Sequence, residues 1–222
     1  MHFKFKKSNS PVAYCALTIR AGTRNEDQMY GGIAHLTEHM IFKGTQYRSA
    51  RSINSYIEKL GGELNAFTSK EEIVIHSTVL KEDISRAIAL LVELAFCPKF
   101  SEKELEKEKT VVLDEIISYK DSPSDQIFDD FEEMLFEGTN LAMPVLGKAR
   151  TLKKIGVKQL NDYVRTHFVL QNMAFTVVAD VQEEKVKRLL YKSLEKYAPG
   201  AISAVEENML RPIPQPLGRI ES

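Results

Sequence analysis

Apolar residues recur along this chain with two different periods, and the switches between them mark out its elements. Near the start, Phe3 and Phe5 alternate with basic residues, and Ser8-Asn9-Ser10-Pro11 reads as a turn. Val12 to Ala21 follows as a strand, so the pattern predicts an opening hairpin. Gly22 to Gly32 is a charged loop closed by a Gly-Gly pair. The stretch from Ile33 to Phe42 is apolar over most of a helical circumference, which predicts a buried helix to about Lys43 with Gly44 as its stop. Ile53, Tyr56, Ile57 and Leu60 recur at helical spacing within Ser49 to Leu60, and Gly61-Gly62 ends that helix. Glu63 to Thr68 and Ile73 to Leu80 read as two strands joined by polar Ser69 to Glu72.

Helices dominate from there. Ile84 to Phe96 is apolar on most sides and should pack on the sheet. Glu102 to Tyr119 is charged on one side, with Leu105, Val112 and Ile116 on the other. Ser122-Pro123 starts a further helix, proline suiting the first helical position, and this helix ends near Gly138. A loop from Asn140 to Arg150 surrounds Pro144 and Gly147. A helix from Gly156 to Phe168, a short strand from Ala174 to Ala179 and an amphipathic helix from Val181 to Tyr197 complete an α+β domain over residues 1–198. Residues 199–222 contain Pro199, Pro212, Pro214 and Pro216 with little periodicity, and read as a linker toward a further segment.

Composition narrows the classes. Hydrophobic content of 43% and charged content of 27% in 222 residues match a soluble globular protein. A net charge of −1 with both signs interspersed gives no reason to expect nucleic acid or an anionic membrane as a partner. Cys15 and Cys97 sit in apolar settings and read as reduced core residues. No apolar run approaches membrane-spanning length, and the basic N-terminus lacks the apolar stretch of a signal peptide. The expected location is the cytoplasm, or the periplasm if a signal had been removed.

The chemistry concentrates in His35-Leu36-Thr37-Glu38-His39. Positions i and i+4 share a helix face, so the two imidazoles are placed to grip one metal ion, with the Glu38 carboxylate close enough to act as a base. This H-x-x-E-H order is the inverted form of the zinc-peptidase signature. Two histidines and a glutamate in an apolar helix need partners, and a metal would satisfy them. A catalytic zinc usually has a third protein ligand. His2, His76, His167 and many carboxylates are candidates. Glu115 stands out because Val111, Val112, Leu113, Ile116 and Ile117 surround it, and Glu108 lies two turns earlier on its face. Spacing alone leaves the choice open.

The chain resembles the pitrilysin/insulinase family of inverted-zincin metallopeptidases, particularly its processing-peptidase branch. The residues that carry the resemblance are Gly31 to Thr45 around the histidines, Gly61-Gly62-Glu63-Leu64-Asn65-Ala66-Phe67-Thr68, Glu106 to Ile116, and Pro144-Val145-Leu146-Gly147. Together they span about residues 11–197. The resemblance implies a two-layer sandwich, a mostly antiparallel sheet covered by helices, forming one half of a two-half peptidase. It implies that Glu115 is the third zinc ligand, 115 − 39 = 76 positions after the second histidine. It also implies Glu38 as the general base and Glu108 as a carboxylate orienting a ligand. Asn65, Ala66 and Phe67 would lie on a sheet edge where an extended peptide adds as a further strand.

The function implied is zinc-dependent endopeptidase activity on unfolded or extended peptides. The alternative is a non-catalytic or partner-dependent chamber subunit, although such subunits usually lack one of the zinc residues and all are present here. Family members pair this half with a second one that supplies a substrate-contacting arginine and tyrosine. The expected partners are therefore a peptide substrate and a second homologous half, a partner subunit or a second copy of the chain. A minor departure is Ala179 before Asp180, where the family often has glycine.

Overall fold

The computed structural model describes residues 1–198. The linker expected over residues 199–222 lies outside them. Five strands form one sheet: β1 (His2–Lys7), β2 (Val12–Ile19), β3 (Glu63–Thr68), β4 (Ile73–Leu80) and β5 (Met173–Ala179). The helices are α1 (Ile33–Ile41), α2 (Ala50–Glu58), α3 (Ile84–Phe96), α4 (Glu102–Lys120), α5 (Pro123–Leu135), α6 (Ala149–Leu152), α7 (Val157–His167) and α8 (Glu183–Tyr197). Among the described residues no helix is long and apolar enough to cross a membrane.

The opening hairpin does not form. The sheet order is β1-β5-β2-β4-β3, so β5 lies between β1 and β2, parallel to the first and antiparallel to the second. Burial explains the exchange. Met173, Phe175, Val177 and Ala179 of β5 are buried, which suits a central strand. Exposed Lys4, Lys6 and Lys7 suit β1 to an edge, where charge also blocks unwanted pairing. The turn after β1 spans the width of the inserted strand, and Ser8 donates its N–H to Ala179 O at 3.1 Å. The other pairings are all antiparallel, giving a mostly antiparallel sheet.

One face of the sheet carries the core. Ala13, Cys15, Leu17 and Ile19 of β2 and Ile73, Ile75 and Val79 of β4 are buried, matching the two-residue period of a half-covered sheet. Helix α3 lies over them and under α8, with Ile88, Leu90, Leu91, Val92 and Leu94 fully buried. Each such side chain contributes about 1.5–3 kcal/mol of burial.

Two contacts fix α1. After its C-terminal end, the chain is clipped to α3 by fully buried Glu93, which accepts from Thr45 Oγ1 at 2.6 Å and Arg48 Nε at 3.0 Å. At its start, Gly32 adopts φ +93°. A Cβ there would meet Leu146 O at 2.8 Å and Gly147 Cα at 3.0 Å, so both the conformation and the close approach require glycine. The segment Pro144 to Gly147 is thus the seat of the helix's first turn.

Candidate metal centre

Helix α1 presents His35, Glu38 and His39, and α4 packs against it. His35 Nε2 and His39 Nε2 lie 3.2 Å apart. The packing brings Glu115 Oε2 to 3.8 Å from His35 Nε2 and 3.6 Å from His39 Nε2. Three atoms bonded tetrahedrally to zinc at about 2.0–2.1 Å stand roughly 3.3 Å apart, so the observed triangle is the right size. Two imidazoles and a carboxylate are also a usual donor set for that ion. Among the described residues this is the one group of three or more such side chains that could hold a metal. The other histidines lie elsewhere: His2 on β1, His76 on β4 beside Phe67, and His167 against Tyr163. Glu115 is the most open of the three ligands, with 40% of its side chain exposed against 13% and 17% for the histidines.

The protonation state suits ligation. Glu108 Oε1 accepts from His39 Nδ1 at 2.9 Å. A carboxylate acceptor requires the proton on Nδ1, so in the neutral ring the Nε2 lone pair faces Glu115 and His35. Burial, helped by neighbouring His39, lowers His35 to about 4, so its ring is neutral at pH 7. With both rings neutral and protonated on Nδ1, the two Nε2 lone pairs would face each other and Glu115, an arrangement that a metal cation satisfies.

Glu38 lies beside this triangle. Its Oε2 accepts from Thr68 Oγ1 at 2.6 Å. Burial raises its pKa, and the Thr68 bond opposes that shift. A carboxylate moved toward neutrality is a better proton acceptor than an ordinary surface glutamate.

Thr68 ends β3, which has no strand on its outer side. Leu64 and Ala66 pack against the helix-covered core, and Thr68, two residues further on, shares that side. Asn65 and Phe67 point to the opposite, open face. Asn65 is exposed, with its Oδ1 accepting from Ala66 N at 2.9 Å. Phe67 is 49% exposed and sits near His76, away from Glu38. Ala66 therefore shares a face with Thr68 while Asn65 and Phe67 share the other, and all three lie on the edge strand.

Three residues absent from the sequence-based site belong to it by contact. Thr68 holds Glu38. Lys43 Nζ lies 2.7 Å from Glu108 Oε2. Its signal was present in the spacing 35, 39, 43, which continues one helical face. Glu26 is buried, and its carboxylate accepts from Gly32 N at 2.9 Å and Ala34 N at 2.8 Å, capping the positive end of α1. Burial raises Glu26 to about 7 against these hydrogen bonds and nearby Lys70. No local sequence pattern marks a loop acid for that task.

Known proteins resemble this chain in sequence and in fold. Residues 4–149 match the model of the insulinase family, peptidase family M16. An uncharacterized zinc protease, YmxG, of Bacillus subtilis (strain 168) is 35% identical over 169 residues, covering 76% of this chain and 41% of its own length. The beta subunit of the mitochondrial-processing peptidase of Rattus norvegicus is 35% identical over 162 residues, covering 72% of this chain and 33% of its own length. The first half of the periplasmic protease PqqL of Escherichia coli superposes with a TM-score of 0.81 at 22% identity, covering 89% of this chain and 44% of that one, a likeness of fold. The chain thus spans less than half the length of the relatives it matches. With the histidine pair, the glutamate and the sheet edge in one place, this chain belongs to the insulinase family of peptidases, family M16.

Proposed function

We propose that this chain is the metal-binding half of a zinc endopeptidase that hydrolyses extended or unfolded peptides. The observation that carries the reading is the triangle of His35, His39 and Glu115 donor atoms, 3.2–3.8 Å on a side, beside the partly buried Glu38 carboxylate. Zinc held by these three side chains would supply Lewis acidity, polarising the scissile carbonyl and acidifying the attacking water.

The remaining steps fall to the chain itself. The outer edge of β3 takes the peptide backbone as an added strand, which positions a scissile bond without reading much side-chain identity. Glu38 accepts a proton from the attacking water and passes it to the leaving amine. Thr68 keeps that carboxylate pointed at the cleft, and Glu108 fixes the His39 ring. A second homologous half, a partner subunit or a second copy would close over the exposed Glu115 side and exclude bulk water. The subunit and half-molecule names of two relatives support such a partner.

The test is cleavage of a long unstructured peptide by the purified chain, with zinc content measured alongside. The expected result is one zinc per chain and a turnover abolished by chelator. Glu38→Gln should retain zinc and lose roughly 10²–10⁴-fold in turnover. A chain that binds no zinc and cleaves nothing would overturn the reading.

A further inference from the structure

The two histidines are held unequally. His35 Nδ1 is buried and has no hydrogen-bond partner among the described residues. His39 Nδ1 is bonded to Glu108 at 2.9 Å, and the other Glu108 oxygen lies 2.7 Å from Lys43 Nζ. Only 8% of the Glu108 side chain is exposed, against 30% of Lys43. A carboxylate so far from water costs several kcal/mol unless a cation and hydrogen bonds compensate it. Lys109, its chain neighbour, pairs with Glu106 instead. Among the described residues Lys43 is therefore the permanent cation paired with Glu108.

We propose that Lys43 is a positioning residue of the metal centre: it anchors Glu108, which in turn orients His39 as the fixed imidazole ligand. The inference rests on the zinc reading above. The line runs Lys43 Nζ, Glu108 Oε2, Glu108 Oε1, His39 Nδ1, and ends on the His39 Nε2 lone pair. Both ends belong to one stretch of chain, because Lys43 follows α1 by two residues and its N–H bonds back to Met40 O at 3.1 Å. Glu108 arrives from α4, the helix that also carries Glu115. The pair thus pins the two ligand-bearing helices to each other one turn from the metal. Removing the ammonium leaves Glu108 as an uncompensated buried charge, free to turn away from His39. Glu108 is the partner that holds the Nδ1 side of the His39 ring, whereas the Nδ1 of His35 has no such partner among the described residues.

The experiment measures zinc affinity by competition with a chromophoric chelator, using the full chain, Lys43→Met, Lys43→Arg, Glu108→Gln and the Lys43→Met/Glu108→Gln double variant. Thermal unfolding of each metal-free protein is recorded in parallel. The expected loss for Lys43→Met is roughly ten- to hundredfold in affinity, the range seen when a partner of a metal-bound histidine is removed. Lys43→Arg should recover most of it. In the Glu108→Gln background Lys43→Met should cost almost nothing further, because its effect passes through that carboxylate. Tight zinc binding by the parent together with an unchanged Lys43→Met would overturn the proposal and leave the zinc reading intact. Equal losses with and without Glu108 would also overturn it. A parent chain that binds no zinc would overturn both.

Discussion

Thr68 Oγ1 donates to Glu38 Oε2 across 2.6 Å, joining the last residue of the edge strand to the carboxylate beside the metal ligands. Edge strand and carboxylate are therefore mechanically joined, and under the proposed function this bond would set a peptide on β3 in register with Glu38. Thr68→Val keeps the shape and removes the donor. A hydrogen bond to a charged group is worth about 1.5–3 kcal/mol, so kcat should fall roughly tenfold or more. Zinc affinity should stay unchanged. The bond lowers the Glu38 pKa, so its loss should move the acid limb of the kcat/KM profile to higher pH. A pH–rate series on the two proteins checks both effects.

Metal removal should weaken the fold without abolishing it. The core of α3 on β2 and β4 contains none of the ligands. Zinc at a hundredfold excess over Kd adds about 2.7 kcal/mol, or roughly 5–10 °C in Tm for a chain of this size. Calorimetry with and without chelator should show that drop, with a cooperative transition in both. Loss of the transition on chelation would mean that the metal is structural.

Glu26 predicts a pH dependence with a definite sign. Its pKa rises from 4.5 to about 7 on folding. The folded state then holds a proton that the unfolded chain has already released. This contribution is fully present below about pH 4.5 and is lost as pH rises through about 7, on the order of 3 kcal/mol in all. Glu26→Gln should flatten that part of the stability curve. Urea titrations from pH 4.5 to 7.5 measure it, and an unchanged slope in the variant would refute the assignment.

Gly32→Ala should damage fold and site together. The left-handed backbone alone costs a non-glycine residue about 1–3 kcal/mol, and the new methyl collides with Leu146 O. Because the displaced turn leads into His35, zinc affinity should fall along with Tm. Gly61→Ala shares the positive φ but meets nothing within 4 Å, so it should lower Tm and leave zinc binding alone.

What could be read from the sequence divides by range. His35, Glu38 and His39 were legible because one turn of helix sets their geometry. The strands and longer helices were legible because their burial has a period. Glu115 was not assigned by pattern, since its partners come from a helix crossing, and only the resemblance singled it out. Thr68 was missed for the same reason, since it acts on a helix 30 positions earlier, whereas Glu26 acts only six and eight positions ahead but from an irregular loop that has no period. The neighbours of a strand are likewise invisible to periodicity. Phe3 and Phe5 show that β1 is a strand but not that β5 lies beside it. Phe67 shows the converse, as a residue adjacent to Thr68 in a strand has its side chain on the other face of the sheet.

The insertion of β5 also orders events during synthesis. Ile19 ends β2 and Met173 begins the strand that must lie beside it, 173 − 19 = 154 positions later. At about 5–20 residues per second, the ribosome needs roughly 8–30 s to deliver the missing strand. Through that interval the edge of β2 that β5 takes in the folded structure has no strand to pair with. All three residues of the candidate metal centre, the last of them Glu115, are therefore synthesised before the strand that completes the sheet.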